Sequence, residues 1–400
     1  MRVLLMLDWN RGRGGAEAHA LHLRDGLRAA GDDVRLLVSS VGSAGDGQAD
    51  YIAYGTESRA AQTLLQIANP HAIATVRRAV ADFRPDVVWV NMFALQLSPA
   101  AIFALGSVPK VLFVSDYKII CPLSHKLLPD DTRCTLPAGR NCLHSGCTSF
   151  PHWLRDQFRY GLICRAVRAC QSVLTCSQWV TDELAANGIP SRPLLLPVRP
   201  PPGNFRRNPA PTPTLLFLGR LDREKGVDLL LRAFAQVARQ LPHARLRIAG
   251  QGPERQPLEQ LSAVLAIAPQ VDFLGWCDPD QLEPEYARAW AMAAPSIWAE
   301  PLGLVAVEAI VRGTPAIVPD QGGLTETVTP GESGWHFRTN DEASLAQCLL
   351  LALSAPFAVS PATISAAVAR YDVAAHVNSL RIHFQEIIRT DTLHPCVPPA

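Results

Sequence analysis

Thr214-Leu215-Leu216-Phe217-Leu218 runs directly into Gly219-Arg220-Leu221-Asp222-Arg223-Glu224-Lys225-Gly226, and that loop into the helix-length segment Val227–Gln240. A short apolar run without alternating polarity has the length of a strand buried on both faces. A strand passing at once into a helix is half of a parallel crossover unit, so this stretch predicts a parallel sheet covered by helices. The same signals recur outward. Downstream, Arg245–Ala249, residues 271–274, residues 294–298 and Ala316–Pro319 read as strands. Upstream, residues 3–7, 34–38 and 86–90 and Lys110–Val114 read as strands, and residues 16–30 as a helix.

The chain has 400 residues, too many for one ordinary core. Pro193, Pro197, Pro200, Pro201, Pro202, Pro209, Pro211 and Pro213 crowd one span, and residues lacking an amide donor at that density mark a linker. The expected organisation is a doubly wound domain over 1–195, a linker over 196–213, a second doubly wound domain over 214–370, and a C-terminal helix and tail over 371–400. In such sheets ligands bind outside the carboxyl ends of the strands, so a cleft between the domains is the expected site.

A net charge of +1 gives no footprint for nucleic acid. The opening residues reach Asp8 too soon for a secretory signal. Residues 87–109 carry no charge, but Asn91, Gln96, Ser98, Pro99, Gly106 and Ser107 break them into a strand and a helix rather than a membrane span. The expectation is a cytoplasmic protein, with peripheral attachment to the inner face of the membrane left open. Ten cysteines in such a chain do not read as a disulfide framework.

In Glu300-Pro301-Leu302-Gly303-Leu304-Val305-Ala306-Val307-Glu308-Ala309-Ile310, Pro301 suits the first turn of a helix. Gly303 allows close approach of a ligand to the backbone, and the new helix offers unpaired amides to an anion such as a diphosphate. Glu308 lies among Leu, Val, Ala and Ile, where a carboxylate needs strong donors. Sugar hydroxyls would serve; so would a core arginine, the commoner solution for a lone buried Glu. Arg220 as a fork and Lys225 as a point charge suit a diphosphate. Gly250-Gln251-Gly252 and Gly322-Gly323-Leu324-Thr325-Glu326 end two further strands. Asp278-Pro279-Asp280 reads as a helix N-cap rather than a metal-binding carboxylate pair.

The order Gly-Arg-x4-Lys-Gly, Ala-Gly-x-Gly-Pro, Glu-Pro-x-Gly-Leu-x3-Glu and Gly-Gly-x2-Glu resembles the retaining glycosyltransferases of family four, from about Arg2 to about Arg370. That resemblance implies an α/β chain of GT-B architecture, two doubly wound Rossmann-like domains facing across a cleft. It implies transfer of a hexosyl group from a UDP- or GDP-sugar to a glycan or lipid-linked acceptor, without a catalytic metal or other cofactor. Arg220 and Lys225 would contact the donor diphosphate, Glu300 the transferred hexose and Glu308 the ribose. Amides around Gly303, Leu304 and Val305 would face phosphate or sugar, and Gly250, Gly252, Gly323 and Glu326 would complete the donor site. The family usually has Phe at Leu302 and often Pro at Thr325.

In the first half, Arg11-Gly12-Arg13-Gly14-Gly15-Ala16-Glu17 lacks the spacing of a dinucleotide fingerprint. In the resembling family, Gly14 and Gly15 would lie against donor phosphate and acceptor. Ser115-Asp116-Tyr117 follows a strand where the family commonly shows His-Asp; Asp116 is a cleft carboxylate or a turn cap. Cys121, Cys134, Cys142 and Cys147 admit three readings: structural zinc, free thiols or a redox-labile pair. Arg155, Arg159, Arg165 and Arg168 spread over more than half of a helix circumference, which reads as a solvated face or a contact with anionic lipid. Two rivals keep part of this reading: a catalytically silent sugar-nucleotide-binding subunit and a sugar-nucleotide epimerase of the same fold.

Overall fold

The computed structural model describes residues 1–9, 15–41 and 49–393. Two compact units emerge: Met1–Pro197 together with the chain from Val373 onward, and Val198–Asp372.

The first unit is built on β1 (Arg2–Leu7), β2 (Asp33–Ser39), β3 (Tyr51–Ala53), β4 (Val87–Asn91), β5 (Lys110–Val114), β6 (Ser172–Thr175) and β7 (Arg192–Pro193). Their order across the sheet is β3-β2-β1-β4-β5-β6-β7, every pair parallel. In register, Leu5 lies between Leu36 and Trp89. All five residues of β4 are buried, which is why the run Val-Val-Trp-Val-Asn shows no alternation. Trp89 stacks on Phe113, centroids 5.1 Å apart, and meets Phe384 edge-on. Phe384 belongs to the C-terminal helix Val373–Leu393, which packs on the helix Gly15–Ala29. There Arg381 pairs with the buried Asp32 at 2.8 Å, and His19 and His376 face each other with Nε2 atoms 3.1 Å apart. Burial drives both imidazoles towards the neutral form, His376 to about 4.

The second unit contains β8 (Thr214–Leu218), β9 (Arg245–Ala249), β10 (Val271–Gly275), β11 (Ala291–Ala293), β12 (Ala316–Pro319) and β13 (Gly334–Phe337). The order β10-β9-β8-β11-β12-β13 is again all parallel. It reverses between β8 and β11, a topological switch point. The helix Val227–Gln240 buries Leu230, Leu231, Phe234 and Val237, each worth about 1.5–3 kcal/mol relative to exposure. Both sheets are doubly wound α/β layers, as the alternation of strands and helices implies.

One strand lies elsewhere than the apolar pattern indicates. The strand expected over 294–298 occupies Ala291–Ala293 instead. Pro295 has no amide to give a ladder flanked on both sides, so the strand ends before it and residues 294–303 form a loop. Among the described residues no strand or helix lies between Pro193 and Thr214. Residues 205–210 are nevertheless pinned to the second unit: Arg207 donates to the carbonyls of Phe357 (2.6 Å) and Trp290 (3.0 Å), and Phe205 packs on the core. No helix among the described residues is long and apolar enough to cross a membrane.

Candidate functional site

The candidate site is a cluster of four loops at the carboxyl ends of β8, β9, β11 and β12. Gly219 and Leu221 donate to the carbonyls of Ala249 and Gln251 at 3.1 and 2.9 Å, zipping the first two loops together. A Cβ on Gly250 would overlap the Gly219 carbonyl oxygen, and one on Gly252 the Leu221 carbonyl oxygen. These two glycines are thus required by loop-on-loop packing. The same holds across the site: a Cβ on Gly322 or Gly323 would overlap the backbone of Glu300 or Pro301, while Gly323 N donates to Glu300 O at 2.7 Å. Gly303, at φ +78°, leaves no room for a side chain beside Leu324.

Glu300 is held within this packing. Its side chain is 8% exposed, its Oε1 lies 2.8 Å from Lys225 Nζ, and the Ser296 hydroxyl donates to the same oxygen. Lys225 arrives at the end of a single 3-10 turn, Arg223–Lys225, after which Gly226 takes the left-handed conformation and opens the helix Val227–Gln240. Arg220 stands on the outer side of the loop, two-thirds exposed, with Nη2 2.6 Å from Asp222 Oδ2 and 3.7 Å from Glu224 Oε1. One cation is therefore anchored inside the loop cluster and the other is reachable from solvent.

The helix after Glu300 starts later than Pro301 suggests. It spans Leu304–Ile310, with Gly303 as its N-cap in the left-handed conformation; Pro301 lies outside it. The amides of Leu304 and Val305, in its first turn, have no intrahelical acceptor. Glu308 lies on this helix and accepts a hydrogen bond from the Tyr286 hydroxyl at 3.0 Å. Burial raises its pKa, Tyr286 and Arg312 opposing the shift. The core arginine is present, but Arg312 gives its fork to Glu283 (2.6 and 2.8 Å) and reaches only the backbone carbonyl of Glu308. The Glu308 carboxylate thus keeps acceptor capacity for a ligand. Glu326 ends the 3-10 segment Gly323–Glu326 and is half-buried.

Asp278 is an N-cap: its amide donates to Gln281 Oε1 at 2.8 Å, and Asp280 is exposed beside Arg199. The box partner is Gln281, three residues from the cap.

In the first unit, Gly14 lies outside the described residues, and Gly15 opens the first helix. Asp116 follows β5 and accepts from the Lys118 amide at 2.8 Å, a turn-capping contact. The Ser115 hydroxyl beside it is buried without a hydrogen-bond partner among the described residues. Lys118 donates to Pro122 O at 2.6 Å, and desolvation with Arg159 nearby lowers its pKa to about 8.

Cys121, Cys134, Cys142 and Cys147 lie near one another in the loop after β5. Burial raises the Cys142 and Cys147 thiols, with Cys121 and Cys134 close enough to add to the shift. No disulfide joins the described cysteines, and among the described residues no three His, Cys, Asp or Glu side chains converge to hold a metal ion. Tetrahedral zinc needs sulfur ligands about 2.3 Å from one common point. The four arginines of the helix Phe150–Arg168 divide: Arg159 is fully buried and donates to Ala94 O at 2.9 Å, and Arg155 turns onto Asp156 at 2.7 Å, leaving Arg165 and Arg168 outward.

Ser296 and Tyr286 are site-forming residues with no sequence signal. Asp8, at the end of β1, accepts from the amides of Leu95, Gln96 and Leu97 at 2.6–2.7 Å and so shapes the loop after β4.

Residues 204–366 match the family model of glycosyl transferases group 1, and residues 14–199 that of the glycosyl transferase 4-like domain. The glycogen synthase of Mycobacterium tuberculosis is 33% identical over 205 residues, 48% of each protein. The chain spans from about a third to about half the length of the curated relatives it matches. Among solved structures, sucrose-phosphate synthase from Thermosynechococcus elongatus gives a TM-score of 0.74 at 19% identity, covering 98% of this chain and all of that one. The Anabaena protein HepE, solved with UDP and glucose, gives 0.69 at 18% identity, covering 96% and 100%. At those identities the likeness speaks to the fold.

Proposed function

We propose that this chain, which belongs to the GT-B glycosyltransferases of group 1, transfers a hexosyl group from a UDP- or GDP-sugar to a glycan or lipid-linked acceptor with retention of configuration. The observation that carries the reading is the Lys225–Glu300 pair, a cation and a carboxylate fixed at 2.8 Å beside glycines that admit no side chain. Fixed charge of this kind does not have to reorganise as the reaction proceeds. Lys225 and Arg220 neutralise the departing diphosphate. Glu300 orients the hexose, and Glu308 takes the ribose hydroxyls with its remaining acceptor capacity. The sugar C1–phosphate oxygen bond breaks as the acceptor oxygen bonds C1 on the same face, and the acceptor proton passes to the departing phosphate. The charge this requires comes from the two cations, so the reading includes no catalytic metal. In the first unit, Asp116 and Ser115 are the residues assigned to acceptor contact. The expected setting is the cytoplasm, with peripheral attachment at the inner membrane face where the acceptor is lipid-linked.

One observation favours a second reading. The Ser115 hydroxyl, without a hydrogen-bond partner among the described residues, stands where the family carries His, which suits a chain that binds sugar nucleotides without turnover. A thermal-shift screen against UDP-, GDP- and ADP-sugars identifies the donor, since ligand binding to the folded state raises the transition. NMR of the product's anomeric carbon then tests retention. Stabilisation without donor cleavage under any acceptor supports the silent reading; no stabilisation by any sugar nucleotide defeats both.

A further inference from the structure

The helix Phe150–Arg168 presents an inverted pattern. Its inward face carries Asp156 and Arg159, both buried, alongside Ile163, Ala166 and Val167. Its outward face carries Phe150 (59% exposed), Leu154 (47%) and Phe158 (69%). At 3.6 residues per turn these fall within about 80° of one another, on a line continued by Gly161, Arg165 and Arg168. Gly161 opens onto free space, and both arginines are exposed. The sole acid on this helix, Asp156, is turned inward and occupied by Arg155 and Arg159. The outward stripe is therefore apolar over its first half, basic over its last turn, and without negative charge.

Phe150 has Trp153 beside it, ring centroids 5.8 Å apart, yet all three side chains stay largely in water among the described residues, at successive turns, which folding alone does not explain. A second copy of this chain is a poor occupant: a self-complementary pairing of the stripe supplies no carboxylate for Arg165 or Arg168. An anionic bilayer surface matches both halves at once. Phenylalanine and leucine enter the boundary between headgroups and acyl chains, and the guanidinium groups meet lipid phosphates.

We infer that the outward stripe of this helix docks the protein onto an anionic phospholipid surface. The inference gives the attachment proposed above a specific face, but it uses no residue of the donor site, so the two stand or fall separately.

The test is co-sedimentation of the full chain with phosphatidylcholine vesicles, with and without phosphatidylglycerol. Binding is expected to the anionic vesicles and to weaken with salt. The triple variant Phe150→Ser/Leu154→Ser/Phe158→Ser loses it. Arg165→Gln and Arg168→Gln each weaken it about fivefold, on anionic vesicles only. All five positions are exposed, so circular dichroism and the thermal transition should stay at their parent values, as should the shift caused by the donor. The inference is overturned if the parent binds neither vesicle, or if the variants bind as well as the parent. A dimer by sedimentation velocity that the triple variant dissolves overturns it as well. Loss of the donor-induced shift in the parent, with vesicle binding intact, would count against the transferase reading alone.

Discussion

Replacing Lys225 by alanine separates a catalytic role from a structural one. The Lys225 side chain is 22% exposed and that of Glu300 8%, with 2.8 Å between the charged atoms. Breaking a fully buried pair by removing one partner costs about 3–5 kcal/mol. Here water reaches the lysine, and the Ser296 hydroxyl still serves Glu300, so about 1–3 kcal/mol is expected, a fall in the transition of roughly 3–10 °C. Loss of a fixed donor to a developing negative charge costs a further factor of about 10²–10³ in turnover. The assay is release of nucleoside diphosphate with and without acceptor, at a temperature where circular dichroism shows the variant folded. Lys225→Arg, which keeps the charge, should recover part of the rate and most of the stability. A folded Lys225→Ala protein that cleaved donor and transferred sugar within a few-fold of the parent would refute the assignment.

Further outcomes follow from the same geometry. Glu308 has a raised folded pKa, so the folded state holds its proton more tightly and this residue's contribution to stability falls as pH rises from the unfolded value through the folded one. Glu308→Gln should therefore raise the neutral-pH transition while weakening donor binding, measurable by thermal denaturation and titration calorimetry. His376 shows the opposite dependence. With its folded pKa lowered to about 4, the unfolded chain binds the extra proton, and stability is lost as pH falls from about 6.5 towards 4. The loss is of order 3 kcal/mol at most, and His376→Gln should flatten the acid limb of a denaturation series. Gly250→Ala forces a Cβ into the Gly219 carbonyl oxygen at φ +152°, and should destabilise by at least about 3 kcal/mol in urea denaturation.

The strand–helix alternation and the glycine-bounded loops were legible from residue order because each depends on local properties. An apolar run such as Val-Val-Trp-Val-Asn announces a strand buried on both faces, and proline density announces a segment without secondary structure. Pro295 carried the information that ended β11 early, but the apolar run around it outweighed that signal. Spacing also singled out Lys225 and Glu300, 75 residues apart, because each follows a strand. It could not show that they meet. That pairing depends on β8 and β11 being neighbours at the switch point, a property of strand order.

Tertiary packing decided what the remaining polar residues do. Glu308 could have been neutralised by Arg312, one helical turn on; only the fold shows that Glu283 takes the guanidinium and Tyr286 the carboxylate. Four cysteines near one another in sequence left zinc, free thiols and a redox-labile pair open, because metal ligation needs side chains aimed at one point and spacing says nothing of aim. In the helix Phe150–Arg168 the residue types alone suggest the reverse of what is found, because the helix turns Arg159 inward and Phe158 outward. By itself the sequence determined the doubly wound α/β class and the loops that carry the candidate site, since strand length, turn chemistry and helix entry act over a few residues. Which charges pair and which faces meet solvent was decided by the fold, since those depend on groups distant along the chain.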